Sequence, residues 1–223
     1  MSAPLIELVG VKKTYPGPPE VHALRDVTLT IRPNEMVAVI GSSGSGKSTL
    51  LNIMGLLDQP STGTVKITGR DVGTLCERDR DCLRASRIGF VFQSFHLVGH
   101  LTSIENVTLP LIHQNWARHE RRQRAVAALT TVGLGHRLHA LPASLSGGEQ
   151  QRVAVARGVV HDPAIVLCDE PTGNLDRENT AAVLALLRDL VTPERAVVIV
   201  THEREVWESA DRLIRVVDGC VTS

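Results

Sequence analysis

The chain has 223 residues, 43% hydrophobic and 22% charged, the balance of an ordinary globular protein with room for one large domain or a core with a subdomain. Lys+Arg and Asp+Glu both number 24, so no general basic field points to nucleic acid, and 3% aromatic residues leave no stacking platform for single strands. No apolar run approaches the ~18 residues of a membrane span, and the start, Met-Ser-Ala-Pro-Leu-Ile-Glu-Leu, is not that of a signal peptide.

In chain order, Leu5–Val9, Val27–Ile31 and Met36–Ile40 read as short strands, with Asn34-Glu35 turning between the last two. Asparagine tolerates left-handed backbone angles, which suits that turn. Gly41 to Thr49 forms a loop, and a helix is expected to start in Ser48–Met54. Val65–Thr68 is a further strand closed by Gly69-Arg70-Asp71, and Ile88–Phe92 another, ending at Gln93. From Thr102 to about Arg157 the pattern is mostly helical. It includes a long basic helix over Trp116–Thr131, and then a helix whose start carries Ser146-Gly147-Gly148-Glu149, a capping-box spacing. Ala164–Cys168 and Ala196–Val200 return to strands, with an amphipathic helix over Asn179–Leu190 between them. Alternating strands and helices imply a mostly parallel sheet covered on both faces.

The four cysteines, Cys76, Cys82, Cys168 and Cys220, show no C-x-x-C spacing and read as reduced thiols of a cytosolic protein. Cys168 is expected to pack as a small hydrophobe. His136 and His139 have helical spacing, which reads as a solvated face.

The phosphate-binding template G-x-x-x-x-G-K-[ST] is met at Gly41, Gly46, Lys47 and Ser48, between the apolar strand and the helix start that the template requires. The loop residues Gly41, Ser42, Ser43, Gly44, Ser45 and Gly46 let backbone amides turn around an anion at a helix N-terminus. Lys47 is placed to reach the β- and γ-phosphates, Ser48 to ligate Mg²⁺, and Thr49 completes the cradle. The second pattern is an apolar strand that ends in Asp169-Glu170. It sets two carboxylates at the carboxyl edge of a parallel sheet, where ligands bind. Asp169 suits the Mg²⁺ shell, and Glu170 suits polarisation of an attacking water. A GTPase needs an N-K-x-D-type guanine reader, and the chain has none. The third pattern, Leu145-Ser146-Gly147-Gly148-Glu149, is a second anion-binding corner, useful to a dimer in which each copy completes the other's site.

With these three motifs the chain resembles the ATP-binding cassette (ABC) ATPases. That resemblance implies an α/β P-loop NTPase fold: a RecA-like core with an antiparallel β subdomain (1–93 and 158–223) and an inserted helical subdomain (94–157), as a single domain. It implies ATP and Mg²⁺ as ligands. Gln93 resembles the glutamine that contacts Mg²⁺ and water and faces a membrane partner. Gly173-Asn174-Leu175-Asp176 resembles the loop crossing the dimer interface, His202 the histidine on the γ-phosphate, and Tyr15 the aromatic stacked on adenine. The stretches Gly55–Gly63, Phe90–Leu97, Leu101–Val107 and Asp169–Asp176 resemble the lipoprotein-release and macrolide-export branch. The resemblance therefore implies a transport ATPase at the cytoplasmic face of the inner (plasma) membrane, peripheral to an integral membrane permease, dimeric with ATP and without nucleic acid. The alternative is a related ATPase that regulates a membrane cell-division or cell-wall complex. Soluble relatives that act on DNA or ribosomes usually carry a coiled-coil insertion or two cassettes in one chain, whereas this sequence shows one cassette, no long heptad run and zero net charge.

Overall fold

The computed structural model describes residues 3–112, 114 and 116–222. Met1 and Ser2 at the start, Ser223 at the end, and His113 and Asn115 within the expected helical stretch lie outside the described residues. β1 (Ile6–Tyr15) and β2 (Val21–Ile31) form an antiparallel pair, followed by β3 (Met36–Ile40) and α1 (Lys47–Met54). β4 (Thr62–Ile67) and β5 (Arg70–Asp71) then extend the first sheet, in the order β2-β1-β4-β5. α2 (Glu77–Arg87) leads into β6 (Ile88–Phe92), and α3 (Ser103–Ile112), α4 (Arg118–Thr131) and α5 (Gly147–Val159) follow without an intervening strand. The chain closes with β7 (Ile165–Asp169), α6 (Arg177–Asp189), β8 (Ala196–Val200), α7 (Arg204–Glu208), β9 (Arg212–Val217) and β10 (Cys220–Thr222).

The second sheet runs β10-β9-β3-β8-β7-β6, parallel throughout except for the β9–β10 hairpin. Its central strands are apolar at every position because both faces are covered. On β8, Ala196, Val198 and Val200 pack with α1 and the antiparallel sheet, while Val197 and Ile199 pack with α3, α5 and α6. β7 divides the same way, Ile165 and Leu167 against Val166 and Cys168. Each fully buried valine or leucine contributes about 1.5–3 kcal/mol, so the sheet register is strongly specified. Cys168 is fully buried in the second cluster, and that burial raises its thiol pKa. It packs as the small hydrophobe expected from the sequence.

Local rules account for some of the ends. Asn34 takes the left-handed conformation at φ 64°. Ser146 and Glu149 form the expected capping box: Glu149 N donates to Ser146 Oγ (3.2 Å), and Ser146 N donates to Glu149 Oε2 (2.9 Å). The helix expected over Trp116–Thr131 begins at Arg118, and Trp116 packs from the preceding turn against the second cluster. Among the described residues no helix is long and apolar enough to cross a membrane.

Candidate functional site

Parallel strands in one sheet present all their carboxyl ends at one edge, and that edge assembles the site. β3 runs into the glycine loop, its neighbour β8 into Thr201-His202, the next strand β7 into Asp169-Glu170, and β6 into Gln93. Four segments far apart in sequence meet there because of strand order.

The loop closes tightly. A Cβ on Gly41 would lie 2.3 Å from the carbonyl oxygen of Val216, and one on Gly46 would lie 2.4 Å from that of Ala23, with φ at 108°. Neither position admits a side chain without moving backbone. Lys47 Nζ donates to the carbonyls of Gly41 (2.9 Å) and Ser42 (2.8 Å), so the ammonium sits across the loop mouth. Ser45 is buried, and its backbone carbonyl accepts from Gly219 N at 2.9 Å.

A cleft of about 740 Å³ opens over this loop, lined among others by Tyr15, Gly41 to Gly44, Gly46 to Thr49, Asp169, Glu170 and His202. Asp169 makes no side-chain hydrogen bond or ion pair among the described residues. Its pKa is raised by partial burial and then by the neighbouring Glu170 charge, against the pull of Lys47. An unpaired, half-buried carboxylate that lines the same cleft as Ser48 supplies, with that hydroxyl, hard oxygen donors of the kind Mg²⁺ takes. No cluster of three His, Cys, Asp or Glu exists among the described residues, so such an ion needs oxygens from a ligand as well.

Glu170 holds a left-handed backbone at φ 46°, a conformation that costs a non-glycine residue about 1–3 kcal/mol. Its N–H donates to the Val200 carbonyl at 2.9 Å, which ties β7 to β8 at the turn. That twist brings Glu170 Oε2 to 2.7 Å from His202 Nδ1. With the carboxylate ionised, Nδ1 is the donor and Nε2 stays available to a ligand.

Tyr15 is held by two residues for which sequence reasoning had no role. Its hydroxyl donates to Asp58 Oδ2 at 2.7 Å, Lys13 Nζ donates to Asp58 Oδ1 at 2.6 Å, and the same ammonium lies 4.8 Å from the Tyr15 ring centroid. Asp58 lies in the Gly55–Gly63 stretch, but no spacing links it to Lys13 or Tyr15, and only the β1 fold-back against the α1–β4 loop brings the three together.

The other predicted residues form a second cluster outside the cleft. Gln93 Nε2 donates to Asn174 Oδ1 (3.3 Å), and Asn174 Nδ2 donates back to the Gln93 carbonyl (3.2 Å). Ser146, Gly147 and Gly148 open α5 beside the start of α6. A Cβ on Gly148 would lie 1.9 Å from Asn179 Oδ1. Asp176 caps α6 by accepting from Asn179 N at 2.8 Å, and that backbone donor lowers its pKa. The glycine loop and the second anion corner therefore do not meet within one copy.

A model of the ABC transporter family matches residues 24–173, well over half of the chain. The chain is similar over its whole length to the macrolide export ATP-binding/permease protein MacB of Chlorobium luteolum, at 49% identity over 223 residues, and to that of Nitrobacter winogradskyi, at 45% over 224 residues. It spans 33% and 35% of those proteins. It is 45% identical to the pyoverdine export ATP-binding/permease protein PvdT of Pseudomonas entomophila, covering 34% of that protein. Among solved structures it superposes on the dimeric ATP-binding cassette MJ0796, in a post-hydrolysis state bound to ADP and phosphate, with a TM-score of 0.89 and 41% identity. That match covers 98% of this chain and 97% of the other.

Proposed function

This chain belongs to the ABC transporter family, and on that premise we propose that it binds and hydrolyses ATP to drive a membrane permease. The observation that carries the reading is the cleft at one sheet edge, where the glycine loop, Lys47, Ser48, Asp169, Glu170 and His202 converge. The amides of Gly41 to Gly46 and the start of α1 receive the β- and γ-phosphates, and Lys47 leaves its loop carbonyls for them. Ser48 and Asp169 would hold Mg²⁺, joined by Gln93 if its amide leaves Asn174, and the ion when bound would supply charge neutralisation on the phosphates. Relief of the Asp169–Glu170 repulsion favours a cation at that position. Glu170 accepts the hydrogen of the attacking water, and His202, once Nε2 as well as Nδ1 carries a hydrogen, donates from Nε2 to the γ-phosphate oxygens as charge develops. Tyr15 stacks on adenine.

Ser146, Gly147 and Gly148 lie outside the cleft of their own copy, so they act on the site of a second copy across the Asn174–Asp176 loop. ATP thereby becomes the adhesive of a homodimer. The export ATP-binding/permease relatives support a permease outside these 223 residues, on the same polypeptide or another, and the cytoplasmic membrane face as the place of work.

The test is Glu170→Gln in the full chain. ATP hydrolysis is expected to fall by about 10²–10⁴-fold with ATP binding retained, the range for loss of a general base. Parental turnover in this variant rejects the mechanism.

A further inference from the structure

α4 departs from a rule that α2 and α5 keep. A helix N-terminus carries the positive end of the macrodipole and favours acids, while the C-terminus favours bases. α2 obeys, with Glu77 and Asp79 in its first turn and Arg84 and Arg87 in its last. α4 runs Arg118-His-Glu-Arg-Arg122, with Glu120 as the one acid in its first turn and no base in its last. Glu120 is already used locally, accepting from Ala117 N at 3.0 Å. Cations concentrated at the unfavourable end destabilise a helix, and such local conflicts mark sites kept for function.

The same cations face a cavity. A space of about 750 Å³ between the start of α3 and the start of α4 is lined by Arg118, His119, Arg121, Arg122 and His139, against one carboxylate, Glu105. That carboxylate is held by its own turn: Thr102 N and Thr102 Oγ1 both donate to Glu105 Oε2, at 2.8 and 2.6 Å. Among the described residues Arg118, Arg121 and Arg122 make no salt bridge and no side-chain hydrogen bond. Arg121 Nε is shielded from solvent and lacks any acceptor. A shielded guanidinium N–H without a partner is a costly state that an incoming acceptor relieves. Three guanidinium groups of fixed fork geometry, converging without carboxylate partners, match the oxygens of a phosphate group.

We propose that this basic cleft between α3 and α4 binds a phosphate-bearing anion, at a site separate from the nucleotide cleft. The chemistry fits the headgroup of an anionic phospholipid or a free polyphosphate, and the proposal does not rest on the ATPase reading.

The experiment uses the full chain in a Lys47→Ala background, so that the glycine loop contributes little. Pyrophosphate is titrated calorimetrically, and cosedimentation is measured with phosphatidylcholine vesicles with and without phosphatidylglycerol. The parent is compared with the Arg118→Gln/Arg121→Gln/Arg122→Gln variant. A loss of roughly tenfold or more in the variant is expected for at least one probe, the scale of one charge-assisted hydrogen bond. Loss of vesicle capture alone assigns a lipid headgroup, and loss of pyrophosphate binding assigns a soluble anion. Capture by phosphatidylcholine alone, parental binding of both probes by the triple variant, or binding of neither by the parent overturns the proposal. The triple variant is expected to melt no lower than the parent, because it removes cations from the positive helix end. Arg122→Gln alone, at an exposed position, is the second variant, with roughly threefold weaker binding expected.

Discussion

Asp169 has a charged neighbour, a buried flank and no donor, so its ionised form is strained until a cation arrives. Its pKa is raised in the folded state. The stability it contributes is therefore present below the ordinary aspartate value and lost as pH rises through the raised one. At neutral pH the carboxylate weakens the ligand-free fold, and Asp169→Asn should raise the melting temperature by about 1–3 °C while Mg²⁺-dependent hydrolysis disappears. A lower melting temperature in that variant, measured without nucleotide, contradicts the argument. Tyr15 offers a second residue-scale test because it is the only tyrosine of the chain. Burial raises its phenol pKa, and the hydrogen bond to Asp58 adds to the shift. In Asp58→Asn the tyrosinate absorbance is expected to appear at lower pH. ATP affinity should weaken by about three- to tenfold, a fraction of a base-stacking contribution. An unchanged titration removes Asp58 as the residue that orients the ring.

At the scale of elements, the buried strands were legible and the amphipathic or charged ones were not. β3 and β6 match their predicted limits and β7 and β8 differ by at most one residue, because continuous apolar runs bounded by turns leave little freedom. β1 and β2 extend well beyond Val9 and before Val27. Their outer halves, through Lys12-Lys13-Thr14 and His22, are half exposed and interrupted by register shifts, so no alternation announces them. α2 escaped for a similar reason: only Leu83 of its eleven residues is buried. The β9–β10 hairpin carried a signal that could have been used. Asp218-Gly219, both at positive φ, is the two-residue turn dipeptide between Val217 and Cys220. One contact between elements is sharp enough to predict from. α5 crosses β6 so closely that a Cβ on Gly89 would lie 2.0 Å from the Gly158 carbonyl oxygen. Gly89→Ala should cost about 1–3 kcal/mol or more, read as a lower urea midpoint at unchanged slope. A parental midpoint would mean that the two backbones separate freely.

For the whole molecule, the separation of Ser146-Gly147-Gly148 from the glycine loop matters most. If each copy completes the other's site, Glu170→Gln protein should elute as a dimer with MgATP and as a monomer with ADP. Adding Ser146→Arg should keep it monomeric while ATP still binds, because the loop that holds ATP is untouched. A dimer that survives Ser146→Arg argues for a different interface.

Glycines, Lys47, the Asp169-Glu170 pair and the Ser146–Glu149 corner were all readable from order alone. Their chemistry needs particular residue types at short fixed spacings, and backbone geometry enforces those spacings locally. The sequence by itself thus determined which segments carry charge, which turn, and which lie in the sheet. Only the tertiary structure decided which of them meet. Strand order β9-β3-β8-β7-β6 brings His202 to Glu170, the return of β1 places Asp58 under Tyr15, and the packing of α3 on α4 turns a run of arginines into the wall of a cavity. Those are long-range pairings, set by burial of both faces of one sheet, and no local pattern encodes them.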